Sequence, residues 1–401
     1  MNATGADTHR AMGYVVVTPG GPEDGGDFGP GTPGTKTSGI QEAIDYAKAH
    51  YKNVFIAGVQ GDRSAPVYNT SETIQVPPMQ GFRIDSGECV INYTQPTGDA
   101  IRIDSAMDCW YRFGLVVSRS ADAVVRLKPE HPVPIDGFVV LTDSVFEFSS
   151  VVGAGTFNLQ TLKITGAPGG GGIVLDASAG PILWNKVFAT AVLLCDKGVY
   201  LTNGGTGNAV AFNWIQVLHN HQCNTHLQVG DAGAGAGAVR GNRIDMSVNS
   251  EGIEGSAGAQ IFGRGNLLTL DVLQAAEGKG LVFEAESGEN IVTALALAGG
   301  ITNNATEPTN RVVSAAPVGF EVETPPVPPS GEPVTNRNPY PIEAIALTPG
   351  DVSQWAVTDA EGESQSVAAP LRAGERFILQ PGESLTFAYS SPPTWRWRAL
   401  E

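Results

Sequence analysis

Lysine is scarce in this sequence. Only 8 of the 24 basic residues are Lys, they are scattered, and they face 41 acidic residues for a net charge of −17. No basic cluster or aromatic–basic stripe is present, which excludes the electrostatic footprint of a nucleic-acid binder and of a protein held on an anionic membrane. Cysteine is scarce too: Cys89, Cys109, Cys195 and Cys223 are too few and too far apart for a disulfide scaffold or a zinc site. No apolar run reaches transmembrane length, so no membrane insertion is expected. Met1–Tyr14 lacks a cationic start followed by an apolar run, so no secretory signal is expected. An acidic, lysine-poor surface is what solubility in concentrated salt favours. A halophilic source is therefore expected, with an ordinary acidic soluble protein as the plainer reading.

What is abundant is glycine and proline, 50 and 27 residues, against 16% charged residues. That mix suits many short strands joined by tight turns. Apolar content of 42% is enough for a packed core. A chain of 401 residues exceeds one compact core, so an elongated repeat or several domains is expected.

The first clear element is an amphipathic helix over Gly39–Tyr51, with Ile40, Ala43, Ile44 and Ala47 on one face and Ser38 with Gln41 as a capping box. Such a helix can close the open end of a stacked sheet. Short strands follow, and then an internal repeat. Asparagine precedes a β-like run at Asn158, Asn185, Asn213, Asn242, Asn266 and Asn290, at intervals of 27, 28, 29, 24 and 24. A second run recurs 12 to 16 residues after each Asn. Two strands per interval in fixed order, with room for a short third, make one coil of a right-handed single-stranded parallel β-helix. The amides should then stack as a structural ladder. The same register stacks Cys195 on Cys223, either as two buried free thiols or as a disulfide. Asp231–Ala238 reads as a flexible Gly/Ala loop. The expected organisation is an N-terminal arm or particle-docking segment (1–37), the parallel β-helix (38–322), an extended Pro-rich linker (323–340) and a small C-terminal β-sandwich or barrel (341–401).

Asp27-Phe28-Gly29-Pro30 with Thr37-Ser38-Gly39-Ile40-Gln41-Glu42-Ala43-Ile44 resembles the start of the pectate-lyase-like β-helix superfamily, with Tyr68 as the candidate for a family turn tyrosine. Leu379-Gln380-Pro381-Gly382-Glu383-Ser384-Leu385-Thr386, with Tyr389 and Pro393-Thr394-Trp395, is similar to small β-domains on structural proteins of tailed viruses. These resemblances imply a spike, fibre or head-decoration protein on a virion surface. It would be a homo-oligomer, typically a trimer, that contacts other virion proteins and a host surface glycan or glycoprotein. The alternative they imply is an extracellular polysaccharide hydrolase or lyase.

Glycosidases on this fold need paired carboxylates, and the family's own motifs are missing here. The substitutes are Asp245 and Asp271, and Glu284 with Glu286, which would share one strand face as an acidic groove; a solvated outer face explains them as well. A lyase would need calcium-binding aspartates and an arginine base, and Arg240, Arg243 and Arg264 near Asp245 lack that spacing. No organic cofactor is implied. A metal ion held by His219, His221 and His226 with Cys223, between trimer-related chains, competes with ordinary satisfied or surface histidines. Trp395 and Trp397 would form either a sugar-stacking platform or the cover of a subunit interface.

Overall fold

A computed structural model describes residues 3–58, 65–153, 156–158, 163–165, 167–233, 235–314 and 322–400. Three parallel sheets of 13, 9 and 6 strands run the length of a β-helix. The middle coils each contribute a long strand, a strand of medium length and a two-residue strand, exemplified by Lys186–Leu193, Lys197–Thr202 and Val210–Ala211. Equivalent strands pair in register with the next coil, as Val187 with Ile215, Ile215 with Ile244 and Ile244 with Leu268. At about 4.8 Å per coil, the long sheet extends roughly 50 Å.

Alternation along the long strands sends every second side chain inward. Ile84, Tyr111, Phe146, Val187, Ile215, Ile244, Leu268, Val292 and Val312 form one buried column. Aromatic rings stack between two neighbouring coils, Tyr111 on Phe146 at 5.4 Å and, one inward position along, Phe113 on Phe148 at 6.0 Å.

The turn from the two-residue strand into the long strand repeats with a left-handed residue at Gly81, Asp108, Asp143, Trp184, Phe212, Gly241, Gly265 and Glu289. For a residue with a Cβ this conformation costs about 1–2 kcal/mol. The next residue supplies the ladder. The Asn213 Oδ1 accepts both the backbone N–H (3.0 Å) and the side-chain amide (3.0 Å) of Asn185. Asn242, Asn266 and Asn290 repeat the arrangement at 3.0–3.1 Å.

Two expectations about this column need correction. Asn158 does not occupy the ladder position of its coil. Its backbone lies in an antiparallel hairpin, Thr156–Asn158 with Lys163–Thr165, inserted within one coil between the strands Val145–Val152 and Gly171–Asp176. Ser144 occupies the ladder position instead, donating its N–H to Asn185 (3.1 Å). Below it, Cys109 N–H donates to the Ser144 hydroxyl (3.1 Å) and Phe82 N–H to the Cys109 sulfur (3.4 Å). At the other end Asn310, absent from the repeat as read in the sequence, accepts from Asn290 (3.2 and 2.9 Å).

The helix Ile40–Ala49 caps the stack with Ile40, Ala43, Ile44 and Ala47 fully buried, but the capping box does not form. Ser38 is itself left-handed (φ 54°) and donates its hydroxyl to Asn69 O, while the N-cap is Gly39. Gly39 is required there, since a Cβ would lie 2.4 Å from Gly29 N. Gln41 instead acts like a strand edge, donating to Gln75 O (3.0 Å) and accepting from Gln75 N (2.8 Å). Tyr68 is buried and donates its hydroxyl to Ala57 O (2.8 Å).

The described part of the expected arm, from residue 3 on, is tied into the rod. Tyr14–Val17 is the first strand of the long sheet, pairing with Asn53–Ile56. Asp27 secures it by accepting from Val16 N (2.8 Å) and Arg10 Nε (2.9 Å). The last rod strand is Arg311–Ser314.

The C-terminal unit is a sandwich of a four-stranded and a three-stranded antiparallel sheet. The stretch expected to be a linker belongs to it. Pro333–Thr335 is one of its strands, Pro325 O and Pro328 O accept from Trp395 Nε1 and Tyr389 OH (2.8 and 2.7 Å), and Asn336 donates to Tyr340 O and Leu379 O. The sandwich meets the rod through Val312 N–H to Pro339 O (2.7 Å) and through Ile301 against its core. Asp231–Ala238 is likewise anchored, through Gly233 N–H to Glu286 and Asn203 Nδ2 to Gly235 O.

Replacing Asn242 by Ala strips two donors of Asn213 of their acceptor and leaves Val210 O without its partner. We expect a loss of about 2–4 kcal/mol, read as a lowered thermal midpoint by circular dichroism. Asn224→Ala on the surface should stay within about 0.5 kcal/mol of the parent.

Candidate functional site

The β-helix exposes outward-facing residues in rows, so a site on it is built from one residue per coil. On the medium-length sheet these positions carry Arg102, Arg126, Val174, Tyr200, Gln228 and Gln260 in register. A cleft of 460 Å³ opens over this face, lined by Asp122, Arg126, Gly170, Asp196, Lys197 and Tyr200.

Arg126 is the cleft's anchor. Its Nε donates to Asp99 (2.9 and 3.1 Å) and its Nη1 to Asp176 (3.1 Å), with both carboxylates largely buried. Burial opposes the guanidinium charge, but the hydrogen bonds and field of Asp99, then those of Asp176, more than offset it and hold the group protonated. Tyr200 donates its hydroxyl to Asp231, which also accepts from Thr202 and from Gln228 Nε2 (3.1 Å). Burial first, then the Asp231 hydrogen bond, push the Tyr200 phenol upward. Lys197 Nζ lies 3.9 Å from the centre of the Tyr200 ring. Asp122 and Asp196 accept from Gly98 N (2.7 Å) and Asn224 Nδ2 (2.9 Å). The carboxylates here are thus engaged in holding neighbouring coils, and the cleft offers hydrogen-bonding and charged groups to a polar ligand. The sequence reading missed these residues. An arginine inside the strand Ala123–Leu127, one coil from aspartates on either side, was the available signal.

The carboxylates nominated from sequence are not placed side by side. Asp245 and Asp271 are on the long sheet but out of register: Asp245 pairs with Thr269, and Asp271 with Ser247. Asp245 accepts from Trp214 Nε1 (3.0 Å) and Arg243 Nε (3.1 Å). Glu284 and Glu286 lie past the end of the strand Leu281–Phe283, so the shared strand face expected for them is not formed. Glu284 accepts from Gln260 Nε2 (2.6 Å), and Glu286 from Gly233 N–H (3.1 Å).

The histidine cluster is divided by the sheet. The register of Trp214–His221 shifts between Val217 and Asn220, which leaves His219 outside and turns Asn220 in. Cys223 and His226 are fully buried. His226 contacts Asn220 Oδ1 (2.9 Å) and Ser250 Oγ (3.2 Å), a satisfied interior histidine. Among the described residues no group of three or more His, Cys, Asp or Glu is placed to hold a metal ion. Cys195 and Cys223 are stacked free thiols, with Cys195 N–H donating to the Cys223 sulfur (3.4 Å). Trp395 and Trp397 are 8% and 4% exposed in the sandwich core, so neither the sugar platform nor the interface cover expected of them exists in this chain. They fill the space between the two sheets.

Comparison with protein-family models finds no match, and comparison with curated proteins finds no relative. The geometry therefore carries the functional reading.

Burial first, then the charge of His221, lower the His226 pKa from 6.5 to about 3. Between those values the unfolded chain binds a proton that the folded chain refuses, so stability falls as pH drops through this window and is intact above it. His226→Gln should flatten the decline of the thermal midpoint below about pH 6.5; an unchanged slope assigns the acid sensitivity elsewhere. Arg126→Met, which leaves two largely buried carboxylates unpaired, should cost about 3–5 kcal/mol, and adding Asp99→Asn and Asp176→Asn should recover part of it in the same melting assay.

Proposed function

We propose that this chain is a structural protein of a virion surface, a spike, fibre or head decoration that projects from a tailed virus and engages the host envelope. The observation that carries this reading is the continuous stack of coils closed at both ends, by a capping helix at one and by the sandwich at the other. Backbone pairing along the whole length makes such a rod stiff, and a capped end hides strand edges that would otherwise invite aggregation. The turn Asp27-Phe28-Gly29, which resembles the pectate-lyase-like superfamily, is part of that closure: Phe28 packs against the rod core and Asp27 ties down the first strand.

The oligomer we propose is a homotrimer. An acidic chain self-associates most easily through a face of low charge, and the last coils of the long sheet present Leu267, Leu273, Ile291, Leu295 and Val313 to solvent. The cleft over the medium-length sheet supports the second reading, a polysaccharide hydrolase or lyase.

Mass spectrometry of purified virus particles should find this chain in multiple copies, and labelled antibody should mark it on intact particles. Absence from particles, together with reducing-end or unsaturated-uronate release from host polysaccharide, selects the enzyme. Because salt screens repulsion among its acidic groups, the thermal midpoint should rise with added salt.

A further inference from the structure

Two residues in the turn before the ladder break the pattern of their neighbours. Where other coils place Gly81, Asp108, Asp143, Gly241, Gly265 or Glu289, successive coils place Trp184 (φ 55°) and Phe212 (φ 60°). Left-handed backbone is least suited to a bulky side chain. Neither ring is sheltered in return, since Trp184 is 56% and Phe212 52% exposed. The rings are nearly parallel (11°) with centroids 6.0 Å apart. Phe212 lies over the next turn, where a Cβ on Gly241 would come within 2.7 Å of its ring. Strained backbone that carries exposed aromatic surface points to binding rather than to stability.

The aromatic surface continues onto the long sheet. Trp214, two residues past Phe212, meets Phe188 edge to face at 5.3 Å. Asp245 fixes the Trp214 indole through its Nε1 (3.0 Å), and the Arg243 guanidinium lies 5.2 Å from its ring. Phe188 then lines a shallow 250 Å³ groove with Arg112, Glu147, Thr190 and Gln216. The groove is smaller than the roughly 300–1,000 Å³ that encloses a small molecule, which suits a chain laid across it.

We propose that Trp184, Phe212, Trp214 and Phe188 form a stacking platform for pyranose units of a polysaccharide lying across the long sheet. A pyranose presents an apolar C–H face to an aromatic ring and a rim of hydroxyls to amide, guanidinium and carboxylate groups. Gln216, Arg112 and Glu147 supply those groups beside the aromatic run. A nucleobase also stacks on aromatic rings, but its phosphates need a cationic track. Here Arg243 is paired with Asp245 and Arg112 lies between Asp85 and Glu147, and the exposed Lys186 and Arg240 beside the rings are too few for such a track. The platform deepens the reading of a rod that meets a host envelope, and rests on it only for the source of the polysaccharide.

The test is affinity electrophoresis and tryptophan-fluorescence titration of the full chain against soluble dextran, mannan, xylan and galactan. At least one should retard the chain, and the double variant Trp184→Gly/Phe212→Gly should weaken that binding at least about tenfold while the thermal midpoint holds or rises, because glycine accepts the left-handed turn. Trp184→Asn/Phe212→Asn, which also tolerates the turn, should behave alike. The proposal is overturned if no polysaccharide of the panel binds, or if the variants bind as the parent does. It is equally overturned if binding and thermal midpoint fall together in both variants, or if the variants only abolish self-association in light scattering. Binding without presence on particles would sink the virion reading and leave the platform standing; presence on particles without binding would do the reverse.

Discussion

The structure depends on coils lying directly above one another, and the asparagine column is where that constraint is chemically most explicit. A primary amide both donates and accepts, so one Asn can receive from the coil before it and give to the coil after it. Asn213 and Asn242 do both, within 3.1 Å, at fully enclosed positions. Ser144 accepts a single backbone N–H from the preceding coil, and Cys109 accepts one and reaches Met79 O only at 3.6 Å, so the column weakens in step from amide to hydroxyl to thiol. The strands, the left-handed turns and the inward columns all share its register.

That register also explains why polar groups on the rod act mainly across coils. Arg126 ties aspartates from two other coils, Asp231 gathers donors from two strands, and Asp245 orients Trp214 of the neighbouring coil. A carboxylate one coil from a partner, about 4.8 Å away, meets that partner whether or not a ligand is present. Most charged outward residues therefore read as fasteners first. Exposed aromatic rings are different, because about half of their surface stays in solvent although their left-handed turns are strained.

Much of this was legible in the sequence because the period of the repeat is a physical length. Asn185, Asn213, Asn242, Asn266 and Asn290 recur when one turn of chain is spent, and Cys195 and Cys223 share their offset. Asn158 fits the same spacing by coincidence. Its coil carries an inserted hairpin, which stretches the separation of ladder residues to 41 and puts Ser144 at the ladder position. Asn310 escaped because the last interval shortens to 20. The histidine pattern failed for another reason. His219 and His221 do stay together on the outer face, with ring centroids 5.9 Å apart, but the strand ends at His221, and Cys223 and His226 beyond it are buried.

By itself the sequence determined the coil: its period, its inward residues, its ladder and the helix that closes it, because each follows from local spacing and from the burial of apolar side chains. Only the tertiary structure decided which outward residues are neighbours, since those contacts join positions 24 to 53 residues apart. It also decided that the first strand belongs to the rod, that the proline-rich stretch lies on the sandwich, and that Trp395 and Trp397 are core. These are packing outcomes, and packing depends on what the rest of the chain brings alongside.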